Sequence, residues 1–461
     1  MGRHIKMGEI RTIPPVLTRT EWNALLDHSL IKGASFIVYS GSGLYWALNG
    51  STGKIDYSGS NASTVISGSL SALTSGRTWK EKITLKGDFS FTDELLLPSY
   101  TILDLTQAKL TLANATNKHL LRNSDSANGN TAIDLIGGIL NGNGANQSVA
   151  NGLIEFYKST AIRLIDMIVY DGYFHNITFT NQCSKCSVVN VESYGAGVTG
   201  LSGDGLTIAG STDSGTEPHD IQVLGGFYHN CTSYGIGIVR VDATYVIPYN
   251  ITLLGAHCYS NTSYGIEERG RWNKIIGCHA YNNGKHGINM GNPPDIVVTY
   301  DEVIGNTLYN NASVTAGYSG LYAHSNYSQF KDNIAFDTRP GVDRTQAYGM
   351  YINYDQYNEI IGNIGNNNLT AEFFIPAIVT NIVKNNLGYK TENFGTSNIT
   401  TTSGSIVHGL AVTPTIVNIT ASGSASTMYM GSFGWYPSGS AGIWVIQTGS
   451  GTVGFNWKAE V

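Results

Sequence analysis

Charge is scarce in this 461-residue sequence: Asp, Glu, Lys and Arg make up 13% of it, about half the usual share. The Lys and Arg are scattered and the net charge is −6. A nucleic-acid partner would need a clustered basic face, so that class is set aside. No apolar run is long enough to span a bilayer. Met1–Leu30 has no continuous apolar segment of the secretory kind. The expectation is therefore an extracellular protein whose signal has been removed, or one carried outside by another route, as on a virion surface. The five Cys are an odd number, which argues against a complete disulfide framework. Cys183-x-x-Cys186 has the spacing of half a zinc site, but no second Cys or His pair matches it, and no metal ligand set is expected. Long stretches of 3.6-residue periodicity are missing too, which excludes a helical repeat.

Gly (55), Tyr (27) and an apolar fraction of 41%, set in regular short runs, are what the chain does have. Many short strands joined by turns fit that mixture. Residues 1–58 read as an N-terminal extension. Pro14-Pro15 interrupts it, a short helix is expected around Thr20–His28, and 36–58 read as hairpins with a turn at Asn49-Gly50. A second helix is expected over 62–75, covering the open end of whatever stack follows. From 59 to 395 two markers recur. Gly-plus-aliphatic pairs stand at Gly205, Gly235, Gly265, Gly287, Gly320 and Gly349, separated by 30, 30, 22, 33 and 29 residues. Tyr-x-Asn runs at Tyr228–Asn230, Tyr259–Asn261, Tyr281–Asn283 and Tyr309–Asn311 precede several of them. One structural unit of three short strands per repeat fits these lengths, while a propeller blade would need more residues. The expected fold is all-β: a parallel β-helix whose coils pair with their neighbours. Asn230, Asn261, Asn283 and Asn311 are expected to form a coil-to-coil ladder. Cys231, Cys258 and Cys278 recur once per repeat and read as stacked small core residues, and His257 and His279 as stacked structural histidines. After 395 the markers stop, and 396–461 read as a small antiparallel β domain.

If the aliphatic after each Gly points inward, the next residue points outward. That rule sets Thr207, Gly237, Glu267, Asn289, Tyr322 and Tyr351 in one column, and Ala209, Val239, Arg269, Gly291, His324 and Asn353 in another. Asp204 and His286 fall at the turns just before. In so uncharged a chain such a gathering suggests a carbohydrate face, since aromatic rings contact sugar rings and polar groups bind hydroxyls and uronates. The plainer reading is a solvated ion-pair cluster of Glu267, Glu268, Arg269 and Arg271.

Residues 53–389 resemble the pectin-lyase-like superfamily of right-handed parallel β-helices. The resemblance rests on GKIDYSGSNASTVISGSLSAL from Gly53, LLLPSYTILDLTQAKLTL, IGGILNGNGANQS and the Gly-aliphatic coils. The tail, from HGLAVTPTIVNIT to VGFNWKAEV, resembles the small β domains that end tailspike and fibre proteins, which implies a homotrimer. The superfamily contains polysaccharide lyases, pectin-degrading hydrolases, uronate epimerases and tailspike depolymerases. Its galacturonan hydrolases carry Asn-Thr-Asp, Asp-Asp and Gly-His-Gly in successive coils. Here Ser202-Gly-Asp204-Gly, Val239-Arg240 and Lys285-His286-Gly287 stand in those places. The Asp cluster of calcium-dependent pectate lyases is missing. Tyr264-Gly-Ile-Glu267-Glu-Arg269 begins like the Tyr-Gly-Phe-Asp-Pro-His of alginate epimerases and then diverges.

What the resemblance implies is a polysaccharide partner, no organic cofactor, and calcium left open. In β-elimination Arg269, with Arg271 or Lys285, would neutralise a uronate. His286, His324 or Tyr322 would take the C5 proton. In hydrolysis Asp204 and Glu267 would be the carboxylate pair. Arg271, Lys285, Asn289, His324, Tyr351 and Asn353 would bind substrate. The reading from another class is a non-catalytic β-helix fibre, adhesin or sheath protein that binds glycans or assembles with itself.

Overall fold

The computed structural model describes residues 33–198, 200–210, 217–240, 247–291, 296–353, 355–376, 380–399, 403–407, 410, 416–422, 442–446 and 453–460. The helix expected near Thr20 lies outside them, as does part of the tail. The chain enters through β1 (Phe36–Gly41), β2 (Leu44–Asn49) and β3 (Ile55–Gly59), an antiparallel meander. The turn after β2 is made by Asn49, whose Oδ1 accepts the N–H groups of Ser51 and Thr52. Helix α1, Ala62–Ser71, follows, four residues shorter than the expected 62–75. Asn61 caps it by accepting the Thr64 N–H at 3.0 Å. Val65, Ile66 and Leu70 of α1 are buried in the core cluster. The helix packs on β2, β3 and the strand Glu81–Phe91. It thus covers the open end of the stack, where unpaired backbone would otherwise invite another chain.

From Glu81 onward the chain winds as a parallel β-helix with three strand ladders per coil. The first ladder is an eleven-stranded sheet from Leu95–Leu97 to Ala371–Phe374. The second runs from Ile133–Ile136 to Ile382–Lys384, and the third from Ile139–Asn141 to Ile364–Asn366. Each return to a ladder is a crossover between parallel strands, whose preferred hand is right. The Gly-aliphatic markers are the start of the first ladder. Leu206, Ile236, Ile266, Ile288, Leu321 and Met350 are register partners of one another, all inside the coil with no exposed surface. Between the second and third ladders the chain turns in two residues. The first takes left-handed backbone: Gly225 (φ 65°), Gly255 (68°), Gly277 (61°), Gly305 (66°), Asp332 (55°) and Gly362 (71°). Gly and Asp occupy the slot because a Cβ resists that conformation.

The second residue of the turn is buried and often Asn. Asn306, Asn333, Asn363 and Asn386 pass Nδ2–H to Oδ1 from coil to coil at 2.9 Å. A second ladder runs through Asn261, Asn283, Asn311, Gln346 and Asn368. Three of the four expected rungs are in it. Asn230 is not, because Tyr259 pairs in register with His229 rather than with Tyr228. Asn230 is therefore exposed in a left-handed turn, and Cys231 holds the rung, its N–H on Asn261 Oδ1. The repeating cysteines correct a second expectation: Cys231 and Cys278 sit in the two Asn ladders and Cys258 in the strand core, so they are not one stack. His257 and His279 do stack, with ring centroids 4.5 Å apart.

A third ladder runs Asn273, Asp301, Ser328, Asn358, Asn381. Asp301 Oδ1 accepts the Asn273 N–H at 2.7 Å, while buried Oδ2 has no partner among the described residues. Glu268, inward between Ile238 and Met290, also leaves Oε2 unpartnered. Burial pushes both acids well above the usual carboxylate range, and each raises the other's cost of ionising.

Glu392–Ile399 and Ile416–Ser422 flank Val453–Glu460 in an antiparallel sheet, and Ser403–Val407 pairs with Gly442–Ile446. These are the small antiparallel β elements expected at the C-terminus.

Asp301→Asn should stabilise the protein. The folded acid keeps a proton that the unfolded chain loses above its ordinary pKa of 3.8, so wild-type stability falls as pH rises. Asn supplies the missing donor at every pH. Melting curves should show a gain at about pH 8 that shrinks towards about pH 4; equal gains at both would disprove the protonated ladder acid.

Candidate functional site

The outer face of the first ladder carries the expected column. Thr207, Gly237, Glu267, Asn289, Tyr322 and Tyr351 are consecutive register partners. The face is roofed by a row of rings: Tyr234–Tyr264 (5.4 Å between centroids), Tyr264–His286 (5.5 Å), His286–Tyr322 (4.9 Å), Tyr322–Tyr351 (5.3 Å) and Tyr351–Phe374 (4.4 Å). Tyr234, Tyr264 and His286 come from the position before the marker Gly, and Tyr322, Tyr351 and Phe374 from the outward strand column, one ring per coil.

Glu267 points outward, yet the rings leave it 0% exposed. Its Oε1 meets Arg269 Nε and its Oε2 accepts Asn289 Nδ2–H at 2.9 Å. Burial pushes its pKa up to about 7, against the pull of Arg269 and Asn289. Arg269 also donates to the Arg240 carbonyl (3.3 Å) and to the Tyr234 hydroxyl (3.4 Å). The plainer reading, a solvated ion-pair cluster, therefore does not hold. Buried Glu267 pairs with half-buried Arg269, Glu268 lies inside the coil, and Arg271 binds Glu217 (3.1 Å).

Asp204 is buried at the turn. Its Oδ1 accepts the Tyr234 N–H (3.0 Å) and its Oδ2 the Thr207 hydroxyl (2.9 Å). His175 Nδ1 accepts the Asp204 N–H (3.0 Å), so its 3.3 Å approach to Oδ2 is no ion pair. Burial lowers the His175 pKa, in keeping with a neutral ring. His286 Nδ1 likewise accepts the Ser319 N–H (2.8 Å), and burial lowers its pKa to about 3. The ring is thus neutral with its proton on Nε2: a donor, with no free lone pair for a base.

His324 differs. Its Nδ1 lies 3.0 Å from Asp355 Oδ1. Asp355 is 2% exposed, and burial raises its pKa to about 8 while lowering that of His324. With Asp355 protonated, its O–H meets Nδ1 and the ring proton sits on Nε2; once Asp355 ionises, at about pH 8, Nδ1–H turns to the carboxylate, and Nε2, which has no hydrogen bond among the described residues, holds a free lone pair. Arg269 and His324 stand two coils apart, about 9–10 Å at the strand spacing, with Gly291 between them. Gly291 has φ 76°, and a Cβ there would meet two backbone oxygens at 2.6 Å. The His324 and Ile296 backbones leave no room for a side chain, so the column has a gap there between Arg269 and His324. Tyr322 borders it, pushed up to about 12 by burial and therefore holding its proton at neutral pH. Lys285 lies over the Tyr264 and Tyr318 rings, and Asn353 follows the strand beside His324. Arg271 sits past the next turn, stacked on Trp272, and does not join this face.

Asp355, Tyr234 and Tyr264 belong to the site but escaped the sequence reading. The tyrosines share with His286 the position before a marker Gly, which was a usable signal; Asp355 lies in a turn beyond the strand, where no periodicity points.

No family model and no curated protein matches the sequence. Solved structures do match. The A-module of the Azotobacter vinelandii mannuronan C-5 epimerase AlgE4 aligns at TM-score 0.54 and 12% identity, over 70% of this chain and 96% of that one. The AlgE6 A-module aligns at 0.52 and 14%, over 71% and 95%. An N-terminal fragment of bacteriophage Phi29 gene product 12 aligns at 0.51 and 13%, over 66% and 60%. At these identities the likeness is one of fold.

Asn289→Ala should leave a buried Glu267 oxygen without its donor, costing about 1–3 kcal/mol. The pKa of Glu267 should also rise. Because folded Glu267 keeps its proton above the ordinary value of 4.5, the loss of stability with rising pH should extend further in the variant. Thermal melts across pH would reveal this; identical profiles would mean that Asn289 does not govern Glu267.

Proposed function

We propose, taking the pectin-lyase-like right-handed parallel β-helix as the premise, that this protein cleaves a uronate-containing polysaccharide by β-elimination on the outer face of its first ladder. The setting is extracellular or the surface of a virion. The observation that carries the reading is the pairing of Arg269 and the His324–Asp355 dyad across Gly291. Arg269 receives the uronate carboxylate, which makes the C5 proton more acidic. His324 Nε2 takes that proton, while Asp355 fixes Nδ1 and stabilises the imidazolium formed. The electrons of the C5–H bond become the C4=C5 double bond, and the C4–O bond breaks. Tyr322 protonates the departing oxygen. Glu267 holds Arg269 in place, and Tyr264, His286 and Tyr351 line the path of the chain.

Hydrolysis is the weaker reading, because both oxygens of buried Asp204 are occupied by Tyr234 and Thr207, which leaves no carboxylate free to activate water. One observation favours a binding-only face: Glu267, Asp204 and His286 are all nearly sealed.

Products from alginate, polygalacturonate and hyaluronan should lack one water by mass and absorb in the ultraviolet. His324→Ala should lower kcat by about 10²–10⁴-fold without loss of fold. The rate should rise with pH through the raised pKa of Asp355, about 8, then level off, since only ionised Asp355 holds the ring proton on Nδ1 and leaves Nε2 free as a base. Products that have gained water would sink the elimination. No product from folded protein would favour the binding-only face.

A further inference from the structure

Each coil has a left-handed turn residue between the first and second ladders. In the early coils that slot holds Tyr100, then the non-aromatic Ala132, Ala161, Lys185, Asp220 and Asn250. In four consecutive later coils it holds Trp272 (φ 55°), Tyr300 (61°), Tyr327 (58°) and Tyr357 (60°). The turns between the second and third ladders behave as chemistry predicts, with Gly, Asn or Asp in the same conformation. Bulky aromatic residues are disfavoured there and strain the backbone.

The strain is not repaid by burial. Trp272 is 48% exposed, Tyr300 51%, Tyr327 48% and Tyr357 53%. The rings form a single file along the helix axis, with centroids 6.5, 5.2 and 5.0 Å apart. The residue before each ring is polar: Arg271, Thr299, Asn326 and Gln356. Arg271, tied to Glu217, stacks on Trp272 with its guanidinium carbon 4.6 Å from the ring. A row of half-exposed rings, each with an N–H or O–H handle, thus runs beside a row of hydrogen-bonding side chains.

We propose that this strip is a second polysaccharide-binding site, holding a stretch of glycan parallel to the helix axis and outside the cleavage gap. It lies next to that gap: Trp272 follows Arg269 by three residues, Tyr327 follows His324 by three, and Tyr357 follows Asp355 by two. The ligand class follows from the repeat. A linear polymer whose units offer apolar faces and hydroxyls meets one ring and one polar group per coil. A second copy of the chain is a poor occupant. A stable interface covers about 800 Å² on each partner with a packed apolar centre, and this strip is one side chain wide. The proposal rests on a glycan partner, as does the cleavage reading, but not on the chemistry.

The test is electrophoresis of the full-length protein through gels containing alginate, polygalacturonate, hyaluronan or dextran. It compares wild type with W272A/Y300A and Y327A/Y357A, and sedimentation is run alongside. At least one polysaccharide should retard the wild type, and each variant should need at least tenfold more of it. Thermal melts check the fold; loss of the strained rings should leave stability equal or higher. Variants retarded like wild type would overturn the strip, whatever the cleavage assay gives. No retardation of wild type would overturn it too, and a change of oligomeric state in the variants would reassign the strip to self-assembly. Retardation lost in the variants, with no cleavage by wild type, would uphold the strip and sink only the elimination.

Discussion

Registered stacking of one coil on the next is the constraint on which everything else in this protein depends. A coil cannot satisfy its own backbone, and each N–H and C=O in its strands is met from the coils above and below. The buried amide ladders make that stacking specific. Asn283 bonds at once to Asn311 and to the Cys258 carbonyl, so a slip of one residue would strand several buried amide groups. Low charge follows from this design, because the interior is built from neutral groups that hydrogen-bond in series.

The chemistry of the outer face inherits that geometry. Side chains at equivalent positions recur every coil, so their rings form a row, which passes at His286 and Tyr322 from the turn position to the strand column. The row keeps water from the groups beneath, and desolvation sets their protonation: it holds His286 neutral and moves Glu267 towards neutrality. Where the row of side chains is interrupted, at Gly291, a cation and an uncharged imidazole face one another across a gap.

The fold was legible because its period is carried by residues that the backbone demands. Gly at a left-handed turn and an aliphatic at the start of a ladder cannot be exchanged freely, and their spacing marks the coil. The outward column followed from the alternation of a strand. Tyr-x-Asn misled at Asn230, since Tyr228 is an inward core residue and Tyr259 an outward one, a difference that composition does not reveal. The site was legible only in part. Direction along a strand is local, but burial and tautomer are not. His286 and His324 look alike in sequence; what separates them is that Ser319 N–H lies against one Nδ1 and Asp355 against the other. Glu268 read as a surface charge because an acid inside an aliphatic column has no local signature.

The cysteines carry a consequence of their own. All five are free and buried, several with Sγ–H turned to main-chain carbonyls such as that of Phe156, and burial raises their pKa, that of Cys186 to about 12. A thiol that neither ionises nor meets solvent is a poor nucleophile and a poor target for oxidants. The architecture therefore needs no particular redox potential. It can assemble in a reducing cytosol and work in an oxidising exterior with the same covalent structure in both.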